Sequence, residues 1–346
     1  MSASPLRNGG WFAALFLAGI FVPFFGYLEH LILPDRAADP RLPKPKAKLG
    51  LQDWSVAEVS RLRLEAGRAS ASRRVLLGHH GWMFLGDSDV IRVEEGLNPF
   101  EPAELKAWTD RLEKDARELR AHRIWFLVVV APDKSSIYPE ELPDYVRLAG
   151  AGRTRTDEFM AACADTHVSC LDLRPALLLA KSQGTQVFQR LDTHWTDLGA
   201  SKAFSAIDSV LFPPRPQTGH WGASFVSREE SGGDLARFLG LQDQLSESLP
   251  EVTNVNGVEV PRNPHAEEFF SRELKLDGGD PSGPNVMLFR DSFGTRLLPF
   301  LASKSKSLEA LWPGRPEIDL ARVLRERPQI VILEFVERKL GPSSVD

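Results

Sequence analysis

The sequence predicts an α/β protein with a mostly parallel sheet covered by helices on both faces. Three observations carry this. Short, nearly continuous apolar runs occur at Ile124–Ala131, Val286–Phe289 and Pro328–Phe335, the pattern of strands buried on both faces. Segments with helical apolar spacing alternate with such runs along the chain, and alternation of this kind implies parallel strands joined by crossover helices. Polar stretches such as Pro132–Glu140 and Arg290–Ser292 follow directly on strands, at the edge where ligands bind in open α/β sheets.

Taken from the N-terminus, Trp11 to Leu28 runs without a charge and spans roughly 27 Å as a helix, enough to cross a bilayer core. It is long for a signal-peptide apolar region, and no small-x-small site follows closely, so residues 1–33 read as an uncleaved membrane anchor. Arg7 before the run and Lys44, Lys46 and Lys48 after it pull the orientation in opposite directions. Residues 34–50, rich in Pro and charge, form a linker, and 51–346 form the folded domain.

Within that domain Asp53 to Arg68 has helical spacing, and Gly78–Ser88 carries a short strand or turn with a buried Trp82 and two loop histidines, His79 and His80. Pro102–His122 is an amphipathic helix leading into the strand Ile124–Ala131. Thr154–Ala164, His167–Leu173 and Pro175–Lys181 then read helix, strand, helix. Thr196 is an N-cap for a helix continuing through Leu211. Residues 212–284, interrupted by Pro213–Pro216, Gly232–Gly233 and Gly278–Pro281, read as an insertion over the cleft, with one short helix at Asp234–Gly240 and a small sheet near Val252–Val260. After the strand Val286–Phe289, helical spacing runs from Gly294 to Leu301, and Pro328–Phe335 supplies the last strand.

The net charge of −5 and the absence of a basic stripe give no sign of nucleic-acid binding. No Cys/His spacing resembles a zinc site, and neither metal nor cofactor is expected. Cys163 and Cys170 either pair or remain as buried thiols.

Candidate chemistry centres on Ser292, in a strand-to-helix turn, and on Asp192 and His194, just before the Thr196 helix. A serine attacks acyl groups well when a histidine oriented by a carboxylate takes its proton. In extended chain, residues two apart project to the same side, so Asp192 and His194 could share one cleft. The plainer reading makes Asp291 and Ser292 helix caps and Lys134 a solvated loop residue.

Six motifs occur in order: Gly81-Trp-Met-Phe84; Pro132-Asp-Lys-Ser135 with Tyr138-Pro139; Asp192-Thr-His-Trp195 with Gly199; Asp234-Leu-Ala236; Asp291-Ser-Phe-Gly294; and Glu337-Arg338. With these the chain resembles the AlgJ/AlgX-type SGNH-hydrolase-like family of exopolysaccharide O-acetyltransferases, on the AlgJ-like, membrane-anchored side. The resemblance implies an α/β/α sandwich with a circularly rearranged motif order, acid and base preceding the serine. It assigns a triad to Asp192, His194 and Ser292. It also implies a periplasmic site, a polysaccharide acceptor such as alginate, and an acetyl donor delivered by a polytopic membrane acyltransferase. Arg290 stands where SGNH enzymes often have Gly. On this reading Trp195 could stack on a sugar, Lys134 could contact an acidic sugar, Tyr138 joins them as a substrate-binding candidate, and the Ser292 N–H is an oxyanion donor. Two alternatives use the same residues differently: a polysaccharide acetylesterase with water as acceptor, and a non-catalytic scaffold that holds the polymer.

Overall fold

The structure, a computed structural model, describes residues 74–86, 98–144, 146, 153–212, 222–259 and 273–341. The expected anchor, the linker and the Asp53–Arg68 helix lie outside the described residues. Among those described, no helix is long and apolar enough to cross a membrane.

The chain opens with a hairpin, β1 (Val75–Leu77) and β2 (Met83–Leu85). Helix α1 (Pro102–Ala121) begins with Pro near its first position, where a missing N–H costs nothing, and leads into β3 (Trp125–Ala131). Then come α2 (Lys134–Ile137), α3 (Arg155–Ala164), β4 (Ser169–Asp172), α4 (Arg174–Ser182) and α5 (Asp197–Leu211). Thr154 starts α3 with a reciprocal capping box to Asp157, and Thr196 caps α5 by accepting the Gly199 N–H. β5 (Ala223–Ser231), α6 (Asp234–Phe238), β6 (Ser246–Val255) and β7 (Val258–Glu259) follow, and β5-β6-β7 form a small antiparallel sheet. The chain continues through β8 (Glu273–Asp277), β9 (Asn285–Phe289), α7 (Leu298–Ser303), β10 (Ser307–Leu311), α8 (Leu320–Glu326) and β11 (Ile330–Val336).

The main sheet has the order β4-β3-β11-β9-β10-β8. Its first five strands are parallel and β8 closes one edge antiparallel to β10. β8 lies inside the stretch read as an insertion, so the part of that stretch that stands apart from the main sheet ends before residue 273. Its Glu-Leu-Lys-Leu-Asp alternation, with inward Leu274 and Leu276, is that of an edge strand, and its charges guard the open rim.

Alternate residues of the strands feed two cores. Leu127, Val129, Leu288 and Ile332 pack with Leu177, Phe204 and Phe300 from α4, α5 and α7. Val128, Val130, Phe289 and Leu333 pack with Leu112, Phe159 and Val323 from α1, α3 and α8. This is the three-layer α/β/α arrangement expected. A third cluster joins the β1-β2 hairpin to α6 through Val75, Met83, Leu191 and Leu235.

Cys163, at the end of α3, and Cys170, in β4, form a disulfide with Cα atoms 6.3 Å apart. The two are separated by seven positions, and closing so short a loop is worth about 2 kcal/mol. Cys170→Ser is expected to lower unfolding stability by that amount, measured by urea titration under non-reducing conditions. Added reductant should remove the difference from the unsubstituted protein.

Candidate active site

Because β3, β9 and β11 are parallel neighbours, the loops leaving their carboxyl ends meet on one edge of the sheet: Pro132–Lys134, Arg290–Ser292 and Glu337–Arg338. Ser292 is partly exposed there, with φ −65° and ψ −28°. The segment behind it is a 3-10 turn, Phe293–Leu297, followed by the six-residue α7. This corrects the expected helix from Gly294. Pro299 has no N–H to give the Thr295 carbonyl, which instead accepts the Leu298 N–H in the tighter 3-10 pattern, so the apolar spacing is not wound as a regular α-helix from the serine onward. The turn is held by Asp291, whose Oδ1 accepts the Phe293 N–H (2.9 Å) and Oδ2 the Val336 N–H (2.8 Å). Asp291 is thus the capping residue. The Ser292 side chain makes no cap bond, and among the described residues no hydrogen bond engages its N–H or its hydroxyl.

Beneath this turn lies Glu334, a carboxyl in the middle of an otherwise apolar strand. Its Oε2 accepts the Asp291 N–H at 3.2 Å. Burial, reinforced by the Asp291 carboxylate, pushes Glu334 well above the usual carboxyl range. A Cβ at Gly294 would come within 2.6 Å of Glu334 Oε2 and of Arg290 Cβ, so the turn closes over Glu334 only with glycine there. Arg290 is buried and braces the turn, donating to Asp291 O (3.2 Å) and Thr295 Oγ1 (2.8 Å).

Next to it, Glu337 accepts the Asp133 N–H and the Thr156 hydroxyl, each at 2.8 Å, and the Ser136 hydroxyl. Burial first and Asp133 second push its carboxyl up to about 7, against Arg174 and these hydrogen bonds. The folded chain therefore holds this proton more tightly than the unfolded chain, whose ordinary value is 4.5. Stability from this group is fully present below about pH 4.5 and declines as pH rises to about 7, by on the order of 3 kcal/mol. Glu337→Gln keeps an acceptor for Asp133 and Ser136 and offers Thr156 an amide. It is expected to flatten that part of the stability curve relative to the unsubstituted protein, read by urea titration from pH 4.5 to 8.

Asp192 and His194 lie in a loop of bends between Phe188 and Trp195, which pair as an isolated antiparallel bridge. The two side chains meet as expected, though by a different route from strand alternation. Asp192 Oδ1 accepts the His194 backbone N–H (2.9 Å) and lies 2.6 Å from His194 Nδ1, so the carboxylate folds back over its own turn. Asp192 Oδ2 accepts the Asp234 N–H (2.9 Å). Burial opposes ionisation of Asp192, but the imidazole and these N–H groups outweigh it and hold the carboxyl well below its usual range. His194 Nε2 is buried with no hydrogen-bond partner, and the ring lies 5.0 Å, centroid to centroid, from Phe293, the residue after Ser292.

The insertion grips this loop. Buried Glu247 of β6 accepts the N–H groups of Arg190 (3.0 Å) and Leu191 (2.9 Å), and Ala236 N–H donates to Leu191 O (3.2 Å). Atoms of Asp192, His194 and Asp234 lie within 4.8 Å of one another, a grouping that could hold a cation. All four carboxylate oxygens, however, already accept N–H or O–H groups.

The three expected sugar contacts are corrected. Lys134 is 4% exposed; its Nζ donates to Met83 O (2.6 Å) and Arg190 O (3.2 Å), pinning the start of the loop that carries Asp192 and His194. Burial lowers its pKa to about 7, against the pull of Asp192, Asp234 and Glu247. Trp195 has no exposed surface and sits edge-on to Phe293. Tyr138 is buried, stacked on Trp82, with its hydroxyl accepting the Val187 N–H at 3.0 Å. His79 and His80 are surface residues bonded to Asp144 and Glu141.

Residues 75–307 match the family described as the SGNH hydrolase-like domain of acetyltransferase AlgX. The chain is 28% identical over 211 residues to a probable alginate O-acetylase AlgJ of Pseudomonas syringae pv. tomato, covering 60% of this chain and 50% of that one. It is 25% identical over 340 residues to the Pseudomonas aeruginosa protein of the same description, covering 87% and 77%. The chain thus spans about half the length of the first of these relatives. Among solved structures, the O-acetyltransferase domain of Pseudomonas putida AlgJ superposes with a TM-score of 0.50 at 21% identity, covering 79% of this chain and 95% of that one. Bacillus cereus PatB1 gives 0.54 at 11%, covering 78% and 96%. These likenesses establish a shared fold, and the match over two thirds of the sequence identifies the chain as a member of the AlgX-type SGNH hydrolase-like family.

Proposed function

We propose that this protein is an exopolysaccharide O-acetyltransferase that works through an acetyl-serine intermediate. The observation that carries the reading is His194: one ring nitrogen is held by Asp192 while the other is bare, buried and next to the serine turn. That is the poise of a general base. Ser292 Oγ attacks the donor's acetyl carbonyl and passes its proton to His194 Nε2. The oxyanion is met by the free Ser292 N–H, and the donor's leaving group departs with the proton from Nε2. A sugar hydroxyl then attacks the ester carbonyl, gives its proton to Nε2, and the Ser292 oxygen leaves and takes that proton back.

The acceptor is an acidic polysaccharide, by likeness to the alginate O-acetylases. With Lys134 buried, the cation suited to meet it is Arg296, which lies one turn beyond Ser292, has a partly exposed side chain and pairs with Asp197 at 2.5 Å. The chemistry takes place in the periplasm, with residues 1–33 anchoring the chain in the inner membrane and a polytopic acyltransferase delivering acetyl. The apolar run at Trp11–Leu28 and the disulfide, a bond of oxidising compartments, support that placement.

The test is to incubate the full chain with an acetyl ester, with and without alginate. Acetyl on Ser292 by mass spectrometry, passing to the polymer when polymer is added, is the expected result. Acetyl released only as free acetate in both arms would make the protein an esterase. An unmodified Ser292 under all conditions would make it a scaffold.

A further inference from the structure

The stretch read as an insertion reaches the loop that carries Asp192 and His194. Its residue Asp234 lies 42 positions from Asp192 along the chain, yet reaches the residue between acid and base. Asp234 Oδ1 accepts the Thr193 backbone N–H (2.8 Å), and Oδ2 accepts the Thr193 hydroxyl. Thr193 Oγ1 in turn lies 3.3 Å from His194 Nδ1. A hydroxyl has one proton to give. With that proton committed to Asp234, Thr193 can face Nδ1 only with a lone pair, and so can only accept from Nδ1–H. This is the same tautomer that Asp192 selects, with Nε2 left bare. Thr193 is buried, so no bulk water competes for the arrangement.

We propose that Asp234 is a positioning residue that acts through the Thr193 hydroxyl to lock the tautomer and orientation of His194. The proposal rests on the reading of His194 as the base. An asparagine at 234 has the same size but cannot do this. Its one carbonyl oxygen can take either the Thr193 N–H or the Thr193 O–H. If its NH2 faces the hydroxyl, the Thr193 proton loses the carboxylate that held it, and the lone pair is no longer fixed on Nδ1–H. If its NH2 faces the amide, two donors oppose each other. In both cases the grip on the imidazole fails while the fold is preserved.

The experiment measures kcat and KM of the full chain on p-nitrophenyl acetate for D234N, T193V, T193S and the D234N/T193V double variant, beside H194A. The expected result is a kcat about ten- to a hundredfold lower for D234N and for T193V, with KM within about twofold, since a small misplacement of a catalytic group costs on this scale. T193S, which keeps the hydroxyl, should recover most of the rate. The double variant should be no slower than D234N alone, because both changes break the same link. An inactive H194A beside a D234N of unchanged kcat would overturn the proposal and leave the base assignment standing, as would D234N and T193V losses that multiply. An H194A variant with full kcat would overturn the base assignment and this inference together. If D234N does not fold, the comparison of T193V with T193S decides: equal rates refute the relay.

Discussion

Replacing His194 with alanine is expected to lower acetyl transfer by about 10^6-fold, because a nucleophile and base that act as a unit fail together. Among the described residues around His194, the carboxylates Asp192 and Asp234 have their oxygens turned to N–H and O–H donors, and the Lys134 Nζ is turned to two carbonyls, which leaves the imidazole to take the serine proton. Asp192→Asn should cost about 10^4-fold, since an amide in place of the carboxylate can present NH2 to Nδ1 and favour the wrong tautomer. Both variants should keep the fold. The measurement is the rate of acetyl incorporation into polymer at saturating donor, with thermal unfolding as the control. A His194→Ala protein within tenfold of the unsubstituted rate would remove the imidazole from the reaction.

Gly233→Ala should disable the same site without touching any group that carries a proton. The backbone at 233 has φ −74°, which alanine adopts freely, so local strain is not the issue. The obstacle is Asp192: a Cβ on residue 233 would stand 2.3 Å from its Cβ and 2.4 Å from its Oδ2. Asp192 is hemmed in by its bonds to His194 and Asp234 and cannot swing aside without breaking them. One of the two must move by about an ångström, and misplacement on that scale costs about 10^2-fold in rate. Substrate binding, which does not depend on the carboxylate, should change little. The loss is therefore expected in kcat, and an Asp192→Asn background should mask most of it.

Much of the architecture was legible because it is written locally. Continuous apolar runs marked the central strands, and Thr154 and Thr196 marked helix starts by their own side chains. Ser292, His194 and Asp192 stood out because their motifs are contiguous. What stayed hidden depends on partners far away in sequence. The lysine in Pro132-Asp-Lys-Ser135 resembles a loop cation until the Met83 and Arg190 carbonyls, more than fifty positions away on either side, close over it. Trp195 and Tyr138 have amphipathic side chains that suit a sugar as well as a core, and only packing against Phe293 and Trp82 decides between them. Asp234 belonged to a recognisable motif without a role, since the role is a bond to Thr193 made across 41 positions. Glu334 carried a readable signal, a lone carboxyl inside Ile-Val-Ile-Leu-Glu-Phe-Val, and a buried charge in such a run implies a polar partner at the strand's end.

The grip of residues 233–247 on the loop carrying Asp192 and His194 sets a rule for any redesign of this segment. The solvent-facing positions of β5, with Ser227, Glu229 and Ser231 exposed, can be rewritten freely. Gly233, Asp234 and Glu247 must travel unchanged with every graft. Wholesale exchange of the segment would leave the Asp192–His194 loop without the contacts that hold it.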